Sequence, residues 1–301
     1  MALTGASGLI GSAVFARLSQ SHRIVAIGRR DDSELRADLS DPASVAQLNL
    51  HGADTLVHCA GVVDEDFADT TRAFRQATQG MAVLVARASA CGVSRALYIS
   101  SAHIYGPFVG TISEQNPPNP LSDYAIAHFA SEQILRRASG PDLRAMILRP
   151  CAVFGIPPDL AAFRRWNLIP FSFPRSLVET GRIELKSSGA PRRNFVGASD
   201  IADGVARWLA TSDEGPPCRV VNPVGKESMS VWEFAQLCAR GYEAQTGKKA
   251  VLSRPVTSVA ADDFEYVSCD SRYAGSSDLG ETIGSLMNLL VGGSGSAGGR
   301  A

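Results

Sequence analysis

Short apolar runs alternate with amphipathic stretches through the first half of the chain. "MALT" is a strand-like run that ends in glycines, and "GLIGSAVFARLSQS" follows with apolar residues at helical spacing. "RIVAIG" and "DTLVHCAG" predict two further strands, "GMAVLVARASACG" a helix closed by Gly92, and "RALYISSA" another strand. "SDYAIAHFASEQILRRA" predicts a helix opened by Ser122 or Asp123 as N-cap. "LRAMILRP" is a strand stopped by Pro150. Strands alternating with helices predict an α/β fold, with a parallel sheet covered on both faces. After Pro150 the rhythm breaks, and "GIPPDLAAFRRWNLIPFSFP" has no clear period. "DIADGVARWLA" and "MSVWEFAQLCARGYEAQTG" are again helical, with "RVVNPV" a strand between them. The end, "GGSGSAGGRA", reads as a flexible polar tail.

Composition narrows the partners. The chain has 301 residues, 45% hydrophobic and 20% charged, with net charge −1. That balance offers no footprint for nucleic acid or an anionic membrane, and no apolar run approaches the ~20 residues of a bilayer span. The start lacks a basic n-region and is broken by glycines, which argues against a secretion signal. The six cysteines, Cys59, Cys91, Cys151, Cys218, Cys238 and Cys269, form no C-x-x-C pair and no zinc-like cluster. Buried thiols in a reducing cytoplasm account for them.

Chemistry begins at "TGASGLIG", where Gly5, Gly8 and Gly11 stand between a short strand and an amphipathic helix. The first suits a tight turn, the second lets backbone approach a pyrophosphate, and the third lets the helix pack on the sheet with its amides facing the anion. This spacing at a strand-to-helix junction predicts dinucleotide binding. At the end of the second strand, "IGRRDD", Arg29 and Arg30 suit a 2′-phosphate and favour NADP over NAD. Asp31 or Asp32 could instead accept from a ribose 2′-hydroxyl, and a solvated charge cluster is the plain alternative.

"ADLSD", "VHCAG", "SSAHIYG", "SEQNPPNPLSDYAIAH", "LRPCAVFG" and "RRNFVGASDIA" follow in that order. The series resembles the extended short-chain dehydrogenase/reductases, specifically the NAD-dependent epimerase/dehydratase family acting on nucleotide sugars. The resemblance runs from Thr4 to about Ala206. It implies a Rossmann-type doubly wound parallel sheet in residues 1–150 plus about 193–222. A smaller C-terminal substrate-binding lobe would take about 151–192 and 223–290, and 291–301 the tail. It implies NADP or NAD as cofactor, a nucleotide-sugar substrate and a possible homodimer.

The resemblance also assigns roles. Asp38 and Leu39 would hold the adenine, and Ala60 and Gly61 would line the pyrophosphate and ribose path. Ser7, Leu9, Ile10 and Ser100 would join the glycines around the cofactor. Pro150 and the backbone up to Val153 would face the nicotinamide. Ser101 falls at the catalytic serine and Tyr124 at the catalytic tyrosine. Arg193 would grip the substrate diphosphate, with Arg254 a second clamp and His103 a further substrate contact. His58, ending an apolar strand, reads as a structural histidine.

One position departs from the pattern: His128 stands four residues after Tyr124, where the family has lysine. The lysine binds nicotinamide ribose, and its charge favours the tyrosinate. A unit charge ~5 Å away at an effective dielectric near 20 is worth roughly 3 kcal/mol. Histidine titrates near 6.5 and is mostly neutral at pH 7, so that help is largely lost. It would still position the ribose. A neutral phenol remains a good acid but a poor base, which favours keto-sugar reduction. Three outcomes follow: an active enzyme with altered pH dependence, another cation in the lysine's place, or a degenerate dinucleotide-binding protein acting as a sensor or partner-binding module. Ala102 and His103 stand where the family's dehydratases add acidic residues, which disfavours dehydration. A methyltransferase with a glycine-rich turn is the remaining alternative, and the serine and tyrosine motifs speak against it.

Overall fold

A computed structural model of the chain describes residues 1–30, 33–211, 215–255 and 263–295; Asp31 and Asp32 lie outside them. Five strands of the first half are β1 (Ala2–Thr4), β2 (Val25–Gly28), β3 (Leu35–Arg36), β4 (Thr55–His58) and β5 (Arg95–Ile99). They join Arg144–Leu148 and Cys218–Val221 in a seven-stranded sheet. Its order is Cys218–Val221, Arg144–Leu148, β5, β4, β1, β2, β3, and every pairing is parallel. The sheet winds outward in both directions from the β1–β4 boundary. Its carboxyl-edge crevice opens there, the switch point where doubly wound sheets bind ligands.

Strand alternation builds two cores. Leu56, Tyr98 and Ile147 point to one face, with Leu84 and Leu135 from the helices above them. Val57, Leu97, Ile99 and Leu148 point to the other, against Val14 of α1 (Leu9–Leu18) and Trp208. Burial on both faces explains why these strands read as near-continuous apolar runs.

The second half of the chain adds a separate core of Phe154, Phe173, Leu177, Phe195, Phe234 and Met287. Around it lie a three-stranded sheet of Glu227–Ser230, Arg192–Gly197 and Ala152–Phe154, and the helices Ile169–Thr180, Val231–Thr246 and Leu279–Gly295. Val231–Thr246 begins with a capping box in which Glu233 N–H donates to Ser230 Oγ and Ser230 N–H to Glu233. Three expectations change here. Arg192–Gly197 pairs outside the large sheet, and only Cys218–Val221 returns to it. The stretch without a period contains the start of Ile169–Thr180, masked by Pro170 in its first turn and Pro174 inside it. The expected tail is helical as far as Gly295, and 296–301 lie outside the described residues. Among the described residues, no helix is long and apolar enough to cross a membrane.

Candidate active site

The glycine turn is shaped by two close approaches. Gly5 has φ +73°, and a Cβ there would lie 2.9 Å from the Ala60 nitrogen. A Cβ on Gly11 would fall 2.0 Å from the Gly5 carbonyl oxygen. The turn therefore lies flat against the end of β4, and α1 seats directly on the turn. Gly8 is the N-cap and offers no side-chain acceptor, so the first amides of α1 face outward for an anion.

In front of this turn a cleft of about 850 Å³ runs along the carboxyl edge of the sheet. Gly5, Ser7, Gly8, Leu9, Ile10 and Gly11 line it from the turn. Arg29, Arg30, Asp38 and Leu39 line it beyond β2 and β3, and Ala60 and Gly61 beyond β4. Ser100, Ser101, His103, Tyr124, Pro150, Val153 and Arg193 line the other end. The structure thus gathers the expected residues into one crevice, with two exceptions, Arg254 and His128.

Arg254 stacks its guanidinium 4.1 Å from the Trp232 ring centre and donates to the Ser188 carbonyl at 2.9 Å, outside the cleft lining. A second diphosphate clamp is not what it forms. Arg193 does face the cleft, 4.8 Å over the Phe108 ring, and makes no ion pair among the described residues. Its charge is available to an anionic ligand.

A dinucleotide fits what is present. The Ser100 hydroxyl is buried in the cleft wall without a partner. The Gly5 cradle and the uncapped amides of α1 are suited to a pyrophosphate. The Asp38 carboxylate accepts from Ser40 N–H at 2.9 Å, Ser40 Oγ at 2.7 Å and Arg72 at 2.8 Å. Burial raises its pKa, but these donors outweigh it and hold the group below its ordinary value, so Asp38 is an anionic acceptor.

Tyr124 opens the helix Asp123–Ala138, whose N-cap Ser122 accepts from Ala125 N–H at 3.3 Å. Its ring meets His103 edge-on at 5.9 Å and His128 at 4.5 Å between centroids. Burial raises the phenol above the usual tyrosine value. Arg165 and the Ser101 hydroxyl pull it partly back, while Asp64 pushes it further up. Tyr124 is therefore a neutral proton donor across the physiological range. Ser101 caps the short turn Ala102–Tyr105 by accepting from His103 N–H at 3.2 Å, which fixes its hydroxyl at the cleft. Burial, with help from Arg193, lowers His103 below the ordinary imidazole range.

His128 is 3% exposed and does not line the cleft. Its Nε2 lies 3.1 Å from the Val62 carbonyl, which can only accept, so Nε2 carries the proton. Its Nδ1 then accepts from the Tyr98 hydroxyl at 2.7 Å. Both nitrogens are consumed by protein, and the ring sits beneath Gly61, where a Cβ would come within 2.9 Å of it. The expected ribose contact is thus not one this imidazole can make as placed. Burial brings its pKa down to about 3, so it is neutral. His58 is structural, as its place on β4 suggested: its Nδ1 bonds Thr4 Oγ1 at 2.7 Å, and its ring stacks on Tyr98 at 5.2 Å.

Several cleft residues had not been singled out as site residues, and two of them form an ion pair. Arg165 and Asp64 line the cleft beside Tyr124 and pair at 2.8 Å. Arg165 also lies 3.3 Å from Glu65, and its neighbour Arg164 pairs with Asp66 at 2.9 Å. The only sign in sequence is complementary charge: "DED" at 64–66 and "RR" at 164–165.

A family model described as "NAD dependent epimerase/dehydratase family" matches residues 1–223. MoeE5, solved with UDP-glucuronic acid and NAD, is 22% identical with a TM-score of 0.76, covering 97% of this chain and 99% of that one. The UDP-glucose 4-epimerase of Thermotoga maritima, solved with UDP-glucose, is 17% identical with a TM-score of 0.79, covering 96% and 97%. RMD from Pseudomonas aeruginosa, complexed with NADPH, is 20% identical with a TM-score of 0.76, covering 97% and 99%. At these identities the likeness is one of fold. A curated relative, the uncharacterized protein y4nG of Sinorhizobium fredii, is 30% identical over 126 residues, 41% of this chain and 30% of that protein. The match thus spans under a third of that relative's length.

Proposed function

The chain belongs to the NAD dependent epimerase/dehydratase family, and we propose that it is an NAD(P)-dependent oxidoreductase or epimerase acting on a nucleotide-activated sugar. Keto-sugar reduction or epimerisation is favoured over dehydration, since no acidic residue follows Ser101 in the turn Ala102–Tyr105. The observation that carries this reading is the shared cleft, which Ser101 and Tyr124 line together with the glycine turn. Solved neighbours hold UDP-sugars, NAD or NADPH. Arg29 and Arg30 line the cleft beyond β2, which favours NADP.

The bound cofactor would supply or accept the hydride. The rest falls to side chains. The Ser101 hydroxyl holds the reacting sugar oxygen. Tyr124, neutral because it is buried, gives that oxygen a proton as negative charge develops on it. Arg193 takes the substrate diphosphate. The residue in the lysine's place contributes shape rather than charge.

The test is a screen of keto-sugar nucleotides with NADPH and NADH, following reduced cofactor by absorbance from pH 5 to 9. Tyr124→Phe should lower turnover by roughly 10²–10⁴-fold. The sealed, neutral His128 favours one second reading, a catalytically degenerate dinucleotide-binding protein. Tight cofactor binding with no hydride transfer to any nucleotide sugar would establish that reading instead.

A further inference from the structure

We infer that Arg165 provides the positive charge that stabilises the Tyr124 phenolate, from across the cleft rather than from beneath the ring. The inference rests on the proton-transfer role proposed for Tyr124. Arg165 lies between the strand Ala152–Phe154 and the helix Ile169–Thr180, so it comes from the second half of the chain, and it lines the same cleft as Tyr124, which His128 does not. Two carboxylates from the turn after β4 hold it there, Asp64 at 2.8 Å and Glu65 at 3.3 Å. The Glu65 contact is an ion pair without a hydrogen bond. That Glu65 contact is made by Arg165 Nε, which is buried and makes no hydrogen bond, so its N–H remains to be satisfied.

The surroundings of Tyr124 leave few other sources of charge. His128 and Tyr98 lie behind it, neutral and bonded to each other. His103, edge-on to it, is itself lowered by burial and by Arg193. Asp64 opposes a phenolate, and Glu65 shares its sign. Arg165 also acts to lower the phenol, whereas Asp64 acts to raise it. A guanidinium keeps its charge at every pH the protein tolerates, unlike an imidazole. When the phenol gives its proton to the sugar oxygen, the phenolate forms facing Arg165. In that step the carbonyl carbon would gain the hydride that the cofactor supplies, the C=O π pair would move to oxygen and take the phenol's proton, and a proton from bulk solvent would then restore the phenol. Arg165 acts through Tyr124, and Asp64 and Glu65 position it.

The test reads the phenol directly. Difluorotyrosine placed at position 124 titrates at lower pH than tyrosine, and its midpoint is followed by fluorine NMR in the whole folded protein, with and without NADPH. Arg165→Met should raise the midpoint by about one pH unit, a factor of roughly ten in acidity. Arg165→Lys should leave it near the unsubstituted value, and Asp64→Asn should lower it. A merely structural role for the Arg165–Asp64 pair would not move the two neutralising variants in opposite directions. In the natural protein, Arg165→Met should lower kcat at least tenfold with little change in KM. An unmoved midpoint in folded Arg165→Met, or in Arg165→Lys a rise equal to that in Arg165→Met, would overturn the inference. The titration needs no turnover. A failed substrate screen therefore counts against the proposed function, while the midpoint still decides the role of Arg165.

Discussion

Acidification through the ordinary imidazole range should strip this protein of much of its stability, and His128 should account for a separable share. In the fold His128 is brought down to about 3 and His58 to about 4, against ~6.5 in an unfolded chain. Both values are depressed, so the native state binds fewer protons than the unfolded state between the folded and unfolded values. Stability therefore rises with pH there. The contribution is complete above pH ~6.5 and is lost as pH falls below it. At ~1.4 kcal/mol per pH unit, the full terms are of order 5 kcal/mol for His128 and 3 kcal/mol for His58. Together they rival the ~5–15 kcal/mol that holds a typical domain. The assay is urea unfolding at several pH values between 4.5 and 5.5. In that range an unfolded histidine is almost fully charged, while His128 in the fold is almost fully neutral. His128→Gln keeps an amide able to donate to Val62 O and accept from Tyr98. Its offset in stability is not the diagnostic; its slope is. The wild type should lose stability about 1.3 kcal/mol per pH unit faster than the variant. Equal slopes would refute the assignment of a buried, neutral imidazole.

Two further expectations concern other parts of the chain. Arg149 and Glu132 form a bidentate pair, 2.9 and 2.6 Å, with side chains 3% and 0% exposed. Glu132→Gln should cost roughly 3–5 kcal/mol in urea unfolding, because it leaves the Arg149 charge buried and unpaired; a loss under 1 kcal/mol would show that the pair is solvated. Arg29→Ala should raise KM for NADPH about tenfold and leave that for NADH unchanged; equal constants for both cofactors in wild type and variant would end the preference for NADP.

What the sequence showed and what it hid have separate physical causes. "TGASGLIG" was legible because each glycine answers a local constraint: Gly5 takes a left-handed φ, and Gly11 leaves no space for a Cβ. The parallel sheet was legible because strands buried on both faces leave long apolar runs. The i, i+4 spacing placed Tyr124 and His128 on one helix face. It did not say that one ring would line the cleft and the other would turn under Gly61. That choice was made by Tyr98 on β5, whose hydroxyl captures the imidazole, a contact across 30 residues. Arg165 was hidden for a similar reason. It lies in a proline-rich stretch without period, and only the packed fold brings it to Asp64, 101 residues away. Arg254 shows the reverse failure, a cation read as a clamp that a neighbouring Trp232 holds elsewhere.

The histidine at position 128 is better understood as part of the core than as a weakened lysine. Thr4, His58, Tyr98 and His128 form a continuous buried file, joined by bonds of 2.7 Å at each end and ring stacking at 5.2 and 5.8 Å between. The file runs directly behind the β1–β4 boundary, and Thr4 Oγ1 also accepts from Ala60 N–H at 3.2 Å. An ammonium in the same place would need to be solvated in a buried site where the two nitrogens of the His128 imidazole are now satisfied by Tyr98 and the Val62 carbonyl. The same contacts that make the crevice wall rigid therefore remove the charge from beneath Tyr124. If proton transfer persists there, its electrostatic support has to enter from the cleft, which Arg165 lines together with Tyr124.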